Sequence, residues 1–421
     1  MTGTRLTLMI LCGVLAATAS VAPGCSALDV EPRDEDRSCS SFRGAPGDRG
    51  LVVTSTAYTG STVVSLLSWD GETKTTSLWS SARRSPGLAT ALSDDVGATL
   101  TPDARGDVAL FDRSTGVLSW ISPTTCSLQV ETQSGNEGLD PNPYDVVSSL
   151  PLGRTFVARF GERADGSDGG DILVLGADRR SILDKIPLRS FVTDAEPTAR
   201  PSPARLLLVG DRLFALLQGF FGGGSGFEHA VEATLVEINA STLAPTAALR
   251  LPNIKNCGAL IADGDRRLLL ACSGVLDEDR PARLAASALV TVNLDEGKMS
   301  LGVIVPAASS VDQSFKPVLA LLPSGRVIAA GYGDGSASSG RDTRDRWFTL
   351  ALDPADPAPA DVLEVPPYEI GDVACRGAVC WGADASGGGR MRRFEERAGI
   401  VTPAGEIVLD PALPPRSLGR F

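Results

Sequence analysis

Histidine is nearly missing from this 421-residue sequence, where His229 stands alone. A Ser-His-Asp hydrolase site is implausible within such a chain unless His229 itself is the base, and no G-x-S-x-G nucleophile turn occurs. Haem d1 sites and histidine-rich metal sites are disfavoured for the same reason, and no C-x-x-C pair is present to suggest zinc. Lysine is also scarce, at five residues, and the formal net charge is −12. Without a concentrated basic face the chain has no means of binding phosphate backbones, so a nucleic-acid partner is not expected. Aromatic residues make up 5% of the sequence, and the five tryptophans are scattered. That spacing does not supply the tryptophan docking motifs of a quinone-dependent dehydrogenase. The lone Trp69-Asp70 dipeptide likewise does not make a WD-repeat series. No long stretch carries a 3.6-residue apolar period, so helices are not the building unit.

Only one long apolar run exists, Leu6 to Ala22, preceded by a single positive charge at Arg5. It reads as a signal peptide over residues 1–24 rather than a membrane span. Val21-Ala22-Pro23-Gly24-Cys25 resembles a bacterial lipoprotein box, although Ala22 stands where such boxes usually carry Leu. The resemblance implies cleavage before Cys25 and its lipidation, with simple cleavage as the alternative. Ser26 in the second position implies outer-membrane sorting in a Gram-negative cell. Residues 25–48 then form the lipidated N-terminus and a charged, Pro-containing tether (DVEPRDEDR, 29–37).

With Cys12 in the signal and Cys25 the lipid candidate, six of the eight cysteines remain: 39, 126, 257, 272, 375 and 380. An even remainder in an exported chain reads as disulfides.

What is abundant is glycine, 45 residues, and proline, 28, as a fold with many turns requires. From residue 49 to 421 one unit repeats: a short apolar strand, a Gly-containing turn ending in Arg, and a second apolar strand. A polar loop follows, then a third strand such as DILVLGAD (171–178) or ALVTVNLDE (288–296), and a fourth ending at an apolar-Pro step. These steps are Ile186-Pro187, Leu251-Pro252, Val305-Pro306, Val365-Pro366 and Leu413-Pro414. Second strands are expected to begin near Val52, Ala98, Thr155, Leu213, Leu268, Val327 and Ala378, at intervals of 46 to 59 residues. Four short strands per interval is the signature of a propeller blade. The expected fold is an all-β, seven-bladed β-propeller with four-stranded antiparallel blades. Blade 1 lacks an innermost strand of its own, and the segment PPRSLGRF (414–421) is expected to supply it, closing the ring.

The hairpins predict cysteine pairing. If Gly264-Asp265 is a two-residue turn, Cys257 and Cys272 face each other across the first two strands of blade 5. A plain turn of that kind sets the pair at a hydrogen-bonded position, where strand disulfides fit less comfortably, so a bulge or longer turn would relieve it. Cys375 and Cys380 fall in register in blade 7. Cys39 and Cys126 remain as a long-range pair that fastens the N-terminal segment to the outer part of blade 2.

Asn142-Pro143-Tyr144-Asp145-Val146, the segment 170–188 (GDILVLGADRRSILDKIPL), and the segments 204–218 and 239–252 resemble exported, often lipid-anchored seven-bladed propellers of high-GC Gram-negative bacteria. These belong to the wider YVTN/lactonase-like propeller class. The resemblance implies fold and envelope location and little about activity.

Candidate ligand-binding residues follow from the face on which propeller loops emerge. His229 sits in a Gly- and Phe-rich loop, FFGGGSGFEHAVEA (220–233), of blade 4. Asp145, Asp194, Glu196, Asp312 and Asp372 begin innermost strands or precede them, and are expected to form an acidic ring suited to a cation, an amine or a basic peptide. The competing role for such acids is to cap turns by bonding local amides. DGSDGGD (165–171) looks like a calcium loop but lacks the Glu required at its twelfth position, and reads better as a hairpin connection. No catalytic residue, metal ligand or cofactor is assigned. The sequence is read as a monomeric envelope lipoprotein, held to the membrane through its lipid, that binds a protein, peptide or glycan through its loop face. The alternative is a lactonase-like, metal-assisted hydrolase with an acidic site at the channel mouth.

Overall fold

The computed structural model describes residues 39–421, apart from 58–59, 82–86, 137, 164, 222–227, 277, 296, 334–343, 353–360, 364–368, 387–388 and 411. The signal segment, the lipidation candidate Cys25 and the tether up to residue 38 lie outside the described residues.

Seven four-stranded antiparallel sheets are arranged as blades, and each after the first runs in simple sequence order from its innermost strand outwards. Blade 1 is the exception that closes the ring. Its innermost strand is Pro415–Arg420, which pairs with Gly50–Thr56 in the register Leu51↔Arg420 to Thr54↔Ser417. Phe421 continues the contact, exchanging backbone hydrogen bonds with Gly50 and packing edge-on against Phe42 at 5.3 Å. Gly419 is needed there, because a Cβ would lie 2.7 Å from the Thr99 carbonyl oxygen of blade 2.

A blade buries both faces only against its neighbours, and the apolar core is divided accordingly. Seven clusters of buried side chains each bridge two adjacent blades around the ring. Second strands such as Arg212–Leu217 and Arg267–Ser273, apolar on both faces, are buried along nearly their whole length for this reason.

Two expected boundaries move. The second strand of blade 2 is Val108–Asp112, not a strand near Ala98, which ends the three-residue innermost strand Val96–Ala98. The Leu413-Pro414 step does not end a fourth strand; the fourth strand of blade 7 is Ile400–Val408, and Pro414 leads into the closing strand.

All three disulfides form as expected, which points to an oxidising, exported environment. The blade 5 hairpin is not a plain two-residue turn. Asp263 pairs with Arg267 around a three-residue turn, and a bulge at Gly258 shifts the register so that Cys257 still faces Cys272. Cys375 and Cys380 flank a true two-residue turn, Gly377-Ala378. Among the described residues no helix is long and apolar enough to cross a membrane.

Candidate functional site

The bulge beside Cys257 belongs to a series. In blades 3, 4, 5, 6 and 7 the register between first and second strands shifts near the start of the innermost strand, and in blade 1 a shift falls between Thr54 and Ser55, opposite the closing strand. An extra residue at such a place bends the strand and re-aims its side chains. Here six blades do so at the same end of the central channel, the end on which the second strands stop and the blade-to-blade connections arrive.

These segments enclose a cavity of about 390 Å3 that receives residues from all seven blades. Its wall is aromatic on one side, where Tyr144 stacks on Phe160 at 4.4 Å and Phe160 meets Phe220 at 6.3 Å. These rings form an eighth apolar cluster with Ala230 and Val275, apart from the seven between blades. Gln218, Asn256, Ser273, Tyr332 and Ser417 add polar groups. Three guanidinium groups, of Arg113, Arg205 and Arg416, share the lining with two carboxylates, of Asp95 and Asp372. Arg113 is fixed by a 2.6 Å ion pair with Asp95 and lies over the Tyr144 ring at 4.6 Å. Arg416 pairs with Glu369. The mouth shares Arg205, Pro317 and Asp372 with a second space of about 300 Å3, whose walls are mainly apolar, with Val147, Leu207, Ile261 and Leu319, and also carry Asp145.

Of the six candidate residues, Asp145 and Asp372 reach the channel, Asp145 buried and Asp372 half-buried. Each is the third residue of its innermost strand and carries two backbone amides. Asp145 accepts from Val146 N at 2.9 Å and, across the blade boundary, from Leu206 N at 2.9 Å. Asp372 accepts from Val373 N at 2.8 Å and from Leu418 N of blade 1 at 2.9 Å. Burial raises both carboxyls above their ordinary range, against the opposing charge of Arg205 and these amide bonds. Their geometry is that of latches between blades. Ser417 plays the same part towards Ala98 N at 3.1 Å.

The other candidates are elsewhere. Asp194 is exposed at the end of the short helix Ser190–Thr193, and Glu196 accepts hydrogen bonds from Thr198, which lower its pKa. Asp312 is exposed in a left-handed backbone conformation and pairs with Arg280 at 2.8 Å. His229 is exposed in a two-residue strand opposite Phe221, and the glycines of its loop at 222–224 and 226 lie outside the described residues. The five acids therefore do not assemble into a ring, and arginine is the commoner charged group in the mouth. Among the described residues no three His, Cys, Asp or Glu side chains converge to hold a metal ion.

The calcium-like loop has a different use. Asp171 and Asp168 clamp the buried Arg159, with Arg159 Nε 2.6 Å from Asp171 and Nη2 2.8 Å from Asp168. Burial raises the Asp168 carboxyl, but hydrogen bonds from Lys185 and Arg159 prevail and hold it well below the usual carboxylate range. A folded pKa below the unfolded one means that this contribution is complete above about pH 4 and is lost as pH falls through the folded value. Asp171→Asn, which leaves Arg159 with Asp168 as its one remaining carboxylate, is expected to cost about 1.5–3 kcal/mol in urea unfolding at pH 7.

No protein-family model matches the sequence, and comparison with curated proteins gives no match. Solved structures share the fold. A "putative 6-phosphogluconolactonase" from Bacteroides fragilis NCTC 9343 has a TM-score of 0.57 at 14% identity, covering 89% of this chain and 99% of that one. Its counterpart from Bacteroides uniformis ATCC 8492 has a TM-score of 0.55 at 13% identity, covering 88% and 98%. The Cps50 (Swd1) β-propeller domain of Myceliophteria thermophila has a TM-score of 0.54 at 13% identity, covering 82% and 92%. At these identities the likeness establishes the seven-bladed propeller fold, which lactonase-like and other propellers share.

Proposed function

We propose that this protein is an exported binding propeller, tethered to the outer membrane through a lipid on Cys25, that takes a peptide, glycan or protein segment into the channel mouth. The observation that carries this reading is the mouth itself: a concave site of ligand size with stacked aromatic rings on one wall and fixed arginines and amides around the rest. Aromatic and guanidinium groups of this kind supply most of the energy at binding surfaces. Peptide and glycan arrays probed with the mature chain test it. Binding is expected to fall at least tenfold on replacing Tyr144 and Tyr332 together by Ala and to survive Asp194→Ala, which lies away from the mouth. Equal binding by the mouth variant would remove the reading. Intact mass of the mature chain tests the tether: a diacylglyceryl-bearing Cys25 at the N-terminus is expected, and an unmodified Cys25 would contradict it.

A lactonase-like hydrolase is the second reading, and it draws on the fold shared with the two Bacteroides structures and on Asp372 in the mouth. It expects lactone hydrolysis on addition of a divalent cation. Ligand binding without any such turnover would leave the binding module alone.

A further inference from the structure

Arg205 is the third residue of the innermost strand Pro203–Val209, the position that holds Asp145 in blade 3 and Asp372 in blade 7. It lines both the polar mouth and the apolar space beneath it, and so stands at the boundary between them. Its Nε donates to the Gly258 carbonyl at 3.0 Å, which fixes the side chain against blade 5. Its terminal nitrogens make no hydrogen bond or ion pair with the described residues. The carboxylates whose charge it feels, those of Asp145 and Asp372, already accept two backbone amides each. The channel thus presents a positioned, half-buried guanidinium whose planar fork matches a carboxylate. One side of it is open and polar, and the other is a mainly apolar space of about 300 Å3 whose wall also carries Asp145 and Asp372, each already held by backbone amides.

We propose that the channel captures the free C-terminus of a peptide or protein whose last residue is apolar. The α-carboxylate would pair with the terminal nitrogens of Arg205. The last side chain would fill the apolar space lined by Leu207, Ile261 and Leu319, and the preceding residues would leave past Tyr144 and Tyr332. A lone fatty acid would satisfy the guanidinium and the apolar space but make no use of the wide polar mouth. A neutral internal glycan or peptide segment would offer the guanidinium single carbonyl or hydroxyl acceptors but no carboxylate to match its fork. This inference rests on the mouth being a binding site and names what it binds.

The test uses an N-terminally fluorescein-labelled octapeptide library with fixed C-terminal Leu, prepared as the free acid and as the amide. Anisotropy titrations are run at low salt with the disulfide-intact mature chain. The free acid is expected to bind about 10- to 100-fold more tightly than the amide. Arg205→Gln should reduce acid binding to the level of the amide, and Arg205→Lys should recover part of it. Ile261→Trp, which fills the apolar space, should weaken the acid without restoring amide binding. Thermal unfolding of each variant within a few degrees of the parent establishes that the fold is kept. Equal binding of acid and amide, an acid preference that survives Arg205→Gln, or no binding of either library overturns the proposal. If the peptides fail while glycans or internal segments still bind in a Tyr144-dependent way, the mouth remains the site and only the C-terminal assignment falls.

Discussion

A chain ending at Pro414 is expected not to fold. Removing Pro415–Phe421 strips blade 1 of its innermost strand and bares the inner edge of Gly50–Thr56, a strand buried at every position. Leu418 and Phe421, both buried, vanish from the clusters that join blade 1 to blades 7 and 2. Asp372 loses the Leu418 amide, and Ala98 N loses the Ser417 hydroxyl. Each deleted large side chain alone is worth about 2–5 kcal/mol, and a domain has only about 5–15 kcal/mol in total. The exposed edge would also offer its unpaired amides to other chains. Soluble yield, size-exclusion profile and far-UV circular dichroism check this. The truncated chain should be recovered mainly as aggregate, while Phe421→Ala should fold with a lowered unfolding midpoint. A truncated chain with a cooperative transition near that of the parent would show that closure is not what holds the ring.

Loss of the Cys39–Cys126 bond is the second large effect. Its partners are 87 positions apart, so in the entropic account it restricts the unfolded chain by about 4–5 kcal/mol, against about 3 for Cys257–Cys272 and about 2 for Cys375–Cys380. It also holds a buried segment, since Cys39 and Phe42 pack in the cluster between blades 1 and 2 that contains Phe421. The double substitution of Cys39 and Cys126 by Ser should therefore lower the unfolding free energy most. The same change at Cys375 and Cys380 should lower it least. Denaturant unfolding of the three double variants gives the order, and a ranking led by the blade 7 pair would contradict it.

The propeller was legible because its physics is local and repeated. Glycine turns followed by Arg, as at Gly210-Asp211-Arg212, mark hairpins, and apolar strands of even length mark sheets buried on both faces. Blade 2 departs from the sequence expectation for an equally local reason. Its innermost strand is three residues long and contains Gly97, and the turn after it carries Arg105-Gly106-Asp107, in a different order from the other blades. The site was much less legible. Asp145 and Asp372 were found through their place at the strand starts, yet the same place equips them to latch neighbouring blades. Arg113, Arg205 and Arg416 carry no motif and are separated by most of the chain. Only the shared register of the blades, and the bulges that turn these strands at the mouth, bring them together. A comparison of the third residue of every innermost strand would have singled out Arg205 beside the two acids, but that requires strand starts known to one residue.

Crystals of the mature chain soaked with a library of small polar and aromatic fragments address the central claim, that the channel mouth is the binding site. Fragments should gather in the mouth between Tyr144, Arg205 and Tyr332, with acidic fragments on the terminal nitrogens of Arg205. Fragments concentrated elsewhere on the surface, with only water in the mouth, would contradict the account.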